Sequence, residues 1–121
     1  LFYTLQNGNG PTSRLMQVTG YTVQLALLCG VVDRGILEQI AAGALVHDVG
    51  ARDMTVDVWA NPARWDAEER ESVERHPRRS YEMLLRQRSL SHEQLLMSYQ
   101  HHERVDGCGY PVGILGREIH P

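Results

Sequence analysis

Apolar residues recur at helical spacing in several separate stretches of this chain, and no stretch alternates as a half-buried strand would. In the clearest stretch the apolar side chains fall three to four residues apart, at Ile36, Leu37, Ile40, Ala41, Ala44 and Leu45. With 42% hydrophobic residues, the 121-residue chain has enough apolar side chains for the core of one domain. The sequence therefore predicts a single all-α domain.

Residues that favour helix ends mark the bounds of the predicted helices. Asp66 with Glu69, and Ser91 with Gln94, form capping boxes, which satisfy free backbone N–H groups in a first helical turn. The predicted helices run from about Ser13 to Cys29, from Asp33 to a stop at Gly50, from Asp66 to about Arg75, from Pro77 through Leu85, and from Ser91 into His101–His102. Residues 1–12 are expected to be the end of a preceding helix or a linker. Residues 51–65 are expected to be irregular, with a turn at Asn61–Pro62.

Charge and cysteine content narrow the expected partners and location. The net charge is −3, and all 12 basic residues are arginine, so a general basic field for polymeric nucleic acid is excluded. A small anion held by a few arginines remains compatible with this balance. The two cysteines form no disulfide framework, which favours a reducing cytoplasm. The apolar stretches are too short and too interrupted to span a membrane.

Four of the six histidines lie at the ends of predicted helices, beside loops: His47, His76, His101 and His102. His47 is followed at once by Asp48, and imidazole and carboxylate groups are common ligands of divalent metals. Helix ends from separate segments can converge on one metal site. Taken singly, a His-Asp pair arises by chance and a His-His pair is more often solvated, so spacing alone leaves both a metal site and a structural role open.

A glycine-rich loop follows His102 and contains Asp106, Gly107, Gly109, Tyr110 and Pro111. Glycines let backbone N–H groups approach an anion closely, and the guanidinium of Arg104 can bind a phosphate through two hydrogen bonds. Tyr110 can stack on a base. The alternative is an ordinary surface turn with Tyr110 packed inward.

The order of these motifs resembles the HD-GYP family. The resemblance covers about residues 14–119 and is carried by His47-Asp48-Val49-Gly50, His76-Pro77, His101-His102-Glu103-Arg104 and Asp106-Gly107-Cys108-Gly109-Tyr110-Pro111. It implies an HD-domain helical bundle with a Gly-Tyr-Pro loop. It also implies two or three divalent metal ions, iron or manganese before zinc, nickel or magnesium, with His47, Asp48, His76, His101 and His102 as ligands and Asp48 as the bridge. Arg104, Arg52 and the loop residues would then face the substrate.

The resemblance further implies an enzyme that hydrolyses cyclic di-GMP to pGpG or GMP in bacterial signalling. Members of the family commonly follow a sensor or receiver domain, and some bind GGDEF-domain cyclases. Because the chain stops at Pro121, before the family's later helices, we expect an incomplete domain whose exposed apolar surface favours a homodimer.

The sequence departs from the family pattern at three places. Arg14 stands where the family has a histidine before the His-Asp motif, and a guanidinium has no lone pair for a metal. Ala51 stands where the family has a lysine, and the family's later aspartate ligand lies beyond the last residue. A second hypothesis is therefore a catalytically degenerate module that binds a nucleotide or a protein partner. A third is a metal-free helical interaction domain, which leaves the histidines unexplained.

Overall fold

The structure is a computed structural model that describes residues 11–52, 54 and 62–121. The described residues form α-helices and short 3-10 turns without a strand, so the all-α prediction is confirmed. The helices are α1 (Pro11–Leu28), α2 (Arg34–Val46), α3 (Ala67–Glu74), α4 (His76–Leu85) and α5 (His92–Gln100). Residues 1–10, Asn61 and most of the stretch predicted to be irregular lie outside the described residues.

The chain divides into two compact units, residues 1–46 and residues 47–121. In the first unit, α1 packs against α2. Gly30 ends α1 with a φ of +88°, as a glycine after a helix commonly does. Asp33 caps α2 as predicted, because its Oδ1 accepts a hydrogen bond from the Ile36 N–H at 2.9 Å.

Predicted helix ends differ from the structure at α1, at α2 and at α5, which ends at Gln100 before His101–His102. α1 begins at Pro11 instead of Ser13, so Pro11 belongs to the helix and not to a preceding turn or linker. Proline suits a first helical turn because that turn has no partner for its N–H group. α2 ends at Val46, and Val49–Ala51 forms a separate 3-10 turn before the predicted stop.

The second unit packs α4 against α5 and against the Val49–Ala51 turn. Both predicted capping boxes are present, with Asp66 at the start of α3 and Ser91 at the start of α5. The ring of Tyr81 on α4 meets the edge of Tyr99 on α5, with centroids 5.3 Å apart. Other side chains of this unit are buried: Val73, Pro77, Ser80, Leu84, Leu95 and Ser98.

Gly50 lies directly on the backbone of α4. A Cβ at this position would come within 2.5 Å of the Ser80 backbone nitrogen and 2.7 Å of the His76 carbonyl oxygen. No larger residue fits without moving the helix or the turn. The sequence predicts Gly50 as a helix stop, whereas the structure shows that its bare backbone allows the close approach of two segments.

None of the helices within the described ranges combines the length and the apolar character that crossing a membrane requires.

Candidate metal centre

The second unit brings together all five residues that the resemblance implies as metal ligands. His47 and Asp48 directly follow α2 in sequence, His76 is the first residue of α4, and His101 and His102 directly follow α5. Two overlapping groups place one ligand atom per residue within 4.8 Å of the others, namely His76–His101–His102 and His47–Asp48–His101. Three segments distant in sequence therefore form one cluster of metal-ligand chemistry.

Backbone carbonyls fix the tautomers of two of these imidazoles. The Nδ1 atom of His101 lies 2.9 Å from the Ser98 carbonyl oxygen, and Nδ1 of His76 contacts the Val73 carbonyl oxygen. A carbonyl oxygen only accepts hydrogen bonds, so each Nδ1 carries the proton and donates it. In the neutral ring the lone pair then belongs to Nε2. This is the usual outer support of a histidine that binds a metal.

The lone pairs of these two rings converge on one carboxylate oxygen. Asp48 Oδ1 lies 3.0 Å from Nε2 of His76 and 3.4 Å from Nε2 of His101. The two Nε2 atoms are themselves 3.1 Å apart. Among the described residues, no hydrogen-bond donor satisfies this buried oxygen.

When both rings are neutral, three electron-pair donors face one another. Such an arrangement is electrostatically unfavourable by itself, and a cation among the three atoms would remove the repulsion. His76 is 4% exposed and Asp48 is 14% exposed, so little water screens the atoms. The residues present thus fit a divalent metal ion.

The protonation states agree with a cation site. Burial raises the pKa of Asp48, but the adjacent imidazoles of His101 and His76 outweigh burial and bring the pKa below its ordinary value of 3.8. Burial, together with charge on His101 and His76, lowers the pKa of His102 from 6.5 to about 4. At neutral pH the site therefore offers an ionised carboxylate and, at His102, a neutral imidazole.

Glu103 holds the loop that follows the two histidines. Its carboxylate accepts hydrogen bonds from the backbone N–H groups of Val112, Gly113 and Ile114, at 2.8 to 3.2 Å. Three successive N–H groups that point to one carboxylate form an anion-binding nest filled from within the chain. These hydrogen bonds close a loop from Glu103 to Ile114, and Tyr110 lies within that loop.

Tyr110 packs over His102 instead of projecting into solvent. The two rings are stacked, 19° from parallel, with centroids 4.6 Å apart. The Tyr110 N–H donates to the His102 carbonyl oxygen at 3.1 Å. Burial, with the charges of Glu74 and Asp48, raises the pKa of Tyr110 to about 12, so the phenol remains protonated. One ring face is therefore used within the chain, and stacking on a base would need the other.

The remaining loop residues form an exposed rim. Arg104 donates through Nε and Nη2 to the carboxylate of Asp106, with the shortest contact at 2.6 Å. This pair is solvent-exposed, with Arg104 at 65%. Gly107 has a φ of +74°, and a Cβ on Gly109 would lie 2.4 Å from the Arg104 backbone nitrogen, so both positions require glycine.

The other predicted positions lie elsewhere in the chain. Arg52 is exposed directly after the Val49–Ala51 turn, and Ala51 closes that turn through a hydrogen bond from its N–H to the Asp48 carbonyl oxygen at 2.9 Å. Pro111 follows Tyr110 through a cis peptide bond. Arg14 lies in α1 of the first unit.

Sequence reasoning missed two residues that organise the site, Glu103 and Ser80. Glu103 reads as one more charge before a glycine turn, and its partners lie nine to eleven residues further along. Ser80 reads as an ordinary helical serine, although its hydroxyl is fully buried against Gly50. Glu103 could have been noticed only from its place within the His-His-Glu-Arg motif. No feature of the neighbouring sequence distinguishes Ser80.

The lowered pKa of His102 predicts a loss of stability in mild acid. The free energy of unfolding of the metal-free protein should fall as the pH falls from about 6.5 to about 4. In this range His102 is protonated in the unfolded chain but remains neutral in the folded protein. The contribution stays below about 3 kcal/mol, because solvent partly screens the half-buried ring. Asp48 adds little in this window, since its carboxyl stays ionised above 3.8. Urea unfolding of the chelator-treated protein and of His102→Gln at several pH values measures the difference, and equal slopes would contradict the assignment.

The comparisons with known proteins agree with the motifs. The family model described as "HD domain" matches residues 5–121. The cyclic di-GMP phosphodiesterase response regulator RpfG of Xanthomonas campestris pv. campestris is 36% identical over 81 residues, which are 66% of this chain and 21% of that protein. The cyclic di-GMP phosphodiesterase PA4108 of Pseudomonas aeruginosa is 31% identical over 84 residues, 69% of this chain and 20% of that protein.

A further relative extends over nearly the whole chain. The 3'3'-cGAMP-specific phosphodiesterase 2 of Vibrio cholerae is 30% identical over 125 aligned residues, which cover 98% of this chain and 24% of that protein. The chain thus spans about a fifth to a quarter of the length of these relatives. With the family model over most of its length and the His-Asp, His-His and Gly-Tyr-Pro motifs in order, the chain belongs to the HD-domain family, in its HD-GYP group.

Proposed function

We propose that this domain is a metal-dependent phosphodiesterase that hydrolyses cyclic di-GMP to pGpG or GMP. The observation that carries the proposal is the convergence of Asp48 Oδ1 with the Nε2 atoms of His76 and His101, at 3.0 and 3.4 Å, in a buried place. Imidazole nitrogens grouped around one carboxylate oxygen match the chemistry of a divalent cation. The relatives named as phosphodiesterases supply the reaction class.

The geometry supports more than one ion. The single lone pair of His101 Nε2 serves one ion, although His101 belongs to both ligand groups. Asp48 has two oxygens, and while Oδ1 faces His76 and His101, Oδ2 lies 3.7 Å from Nε2 of His47. We infer that the Asp48 carboxylate would be shared by two ions, which is the role the resemblance implies. Four imidazoles and one carboxylate suit iron, manganese, zinc or nickel better than magnesium.

The chain's own residues would bind and orient the dinucleotide. When bound, a pair of divalent ions lowers the pKa of water and stabilises charge on an attacked phosphate. The exposed guanidinium of Arg104 keeps Nη1 for a phosphate while Asp106 holds its other donors in place. Arg52 adds positive charge beside the Asp48 turn. The phenol of Tyr110, protonated with a pKa of about 12, offers a hydrogen-bond donor at the edge of the site.

The relatives leave two substrates to compare. RpfG and PA4108 are named for cyclic di-GMP, and the Vibrio cholerae relatives for 3'3'-cGAMP. These dinucleotides share the cyclic phosphodiester ring that hydrolysis by water would open, and they differ in one base. We propose cyclic di-GMP because RpfG, which is 36% identical over 81 residues, and PA4108 both carry that name.

A second candidate is a module that binds the nucleotide, or a GGDEF-domain protein, without turnover. Ala51 favours it, because a methyl group at the end of the Asp48 turn neither contacts a phosphate nor donates a proton. Arg14 favours it as well, since a guanidinium cannot ligate a metal. A homodimer remains a further proposal.

Metal analysis joined to a hydrolysis assay tests these functions. We expect the anaerobically purified protein to hold more than one iron, manganese or zinc ion per chain and to convert cyclic di-GMP to a linear product. Chelator-treated protein should be inactive and should regain activity with Mn²⁺. The same assay with 3'3'-cGAMP gives the rate for comparison with cyclic di-GMP. Bound metal without turnover of either dinucleotide would favour the binding module. A protein free of metal would favour a helical interaction domain.

A further inference from the structure

The hydroxyl of Ser80 joins two segments of the metal centre that are 30 residues apart in sequence. Its Oγ accepts a hydrogen bond from the Gly50 N–H at 2.9 Å, and the Ser80 side chain is completely buried. A buried helical serine commonly bonds to a carbonyl of its own helix. Ser98 does so, donating to the Leu95 carbonyl oxygen. Ser80 instead provides the acceptor for a backbone donor from another segment.

The two joined segments each carry a ligand of the proposed metal site. Gly50 lies two residues after Asp48, in a turn closed by the hydrogen bond from the Ala51 N–H to the Asp48 carbonyl oxygen. Ser80 lies four residues after His76, hence on the same face of α4, one turn further along. The hydrogen bond between Ser80 and Gly50 therefore spans the same two segments as the contact between Asp48 and His76.

Contact and hydrogen bond together restrain the turn in both directions. It cannot move closer to α4, because even a Cβ on Gly50 would overlap the Ser80 nitrogen and the His76 carbonyl. It cannot move away without leaving the buried Gly50 N–H unpaired, which carries a desolvation cost. The position of the turn on the helix is thus restrained from both sides.

We propose that Ser80 is a positioning residue of the metal centre, whose hydroxyl holds the Asp48 turn against α4 and so fixes the Asp48 carboxylate beside Nε2 of His76. The inference rests on the proposed function as far as metal binding is concerned. Ser80 touches neither metal nor substrate in this role. It acts in the way that outer hydrogen bonds orient metal ligands in other proteins.

The test compares Mn²⁺ affinity in the wild-type protein, Ser80→Ala and Ser80→Thr, measured by the loss of the free Mn²⁺ signal in electron paramagnetic resonance. Ser80→Ala removes the acceptor, and we expect Kd to rise about tenfold to a hundredfold, as for other outer-sphere substitutions. Ser80→Thr keeps the Oγ acceptor and should recover most of the affinity. Asp66→Ala is the stability control, since it removes an exposed helix cap and should lower Tm without changing Kd.

A folded Ser80→Ala protein with wild-type Kd would overturn the inference, as would a Kd that changes equally in Asp66→Ala. Hydrogen exchange of the Gly50 amide gives a readout in the wild-type protein itself, where slow exchange is expected and fast exchange would contradict the tether. Wild-type protein that binds no Mn²⁺ contradicts the proposed function and the metal-centre role together. In that case the exchange rate of the Gly50 amide still tests whether Ser80 holds the turn.

Discussion

Replacing Asp48 with asparagine is expected to abolish metal binding and, with it, hydrolysis of any cyclic dinucleotide. The amide keeps the shape of the side chain but carries no charge, and its nitrogen cannot bridge an ion. Without a carboxylate near His76 and His101, the remaining imidazoles have no negative charge to balance a dication. We expect metal affinity to fall by more than about a hundredfold, beyond the loss seen for outer-sphere changes. Metal content and product formation are measured on the same preparation.

The matched control makes the same chemical change on the surface. Asp66 caps α3 with its carboxylate, and asparagine is an equally good cap, so Asp66→Asn should leave fold, metal content and turnover unchanged. Circular dichroism and Tm establish that both variants remain folded. An Asp48→Asn protein that binds metal like the wild type would remove Asp48 from the ligand set and refute the proposed bridge.

Replacing Glu103 with glutamine is expected to release the loop that carries Tyr110. The carboxylate accepts from three backbone N–H groups through two charged oxygens, whereas glutamine offers one neutral oxygen and turns an NH2 group toward the same donors. We expect a loss of about 2 to 3 kcal/mol in the free energy of unfolding, because hydrogen bonds to a charged acceptor are the strong ones. Faster amide exchange at Val112, Gly113 and Ile114 locates the change.

Glu118 provides the comparison within the same region. Its carboxylate accepts from one N–H group, that of Leu115 at 3.0 Å, and the residue is exposed. Glu118→Gln should therefore cost well under half of the Glu103→Gln effect. If both variants lose the same free energy of unfolding, the three N–H groups do not act as an anion nest and Glu103 has no special role in the loop.

The helices and their ends could be predicted because their causes are local. The capping boxes at Asp66 and Ser91 satisfy N–H groups three residues away, and the cap at Asp33 works over the same distance. A local cause can be read from a short stretch of sequence. Two of the predicted bounds that differ, at Pro11 and Gly50, lie at residues that can act in two ways. Pro11 can break a chain or open a helix, and Gly50 can stop a helix or allow a close contact.

In the candidate site, too, residue identities could be predicted from the sequence, whereas the contacts between them could not. The identities of His47, Asp48, His76, His101 and His102 follow from motif order and resemblance, but the motifs carry no information on which ring nitrogen faces inward. That choice follows from the backbone carbonyls of Val73 and Ser98, which accept hydrogen bonds from the Nδ1–H groups of His76 and His101. For Tyr110, the residue type suggests a role that the fold takes up only in part. Its residue type predicts a ring that stacks on a base, and the folded chain stacks one face of that ring on His102.

The sequence by itself determined the all-α class, the capped helix starts at Asp33, Asp66 and Ser91, and the chemical set of imidazoles and one carboxylate. These features depend on residue type and on neighbours within one or two turns. The tertiary structure alone decided that Asp48 Oδ1 meets two lone pairs, that Glu103 fills a nest of N–H groups, and that Ser80 supports the Asp48 turn. Each of these contacts joins residues that are nine or more positions apart. Their energies depend on distances of a few ångströms that only packing of the whole unit can set.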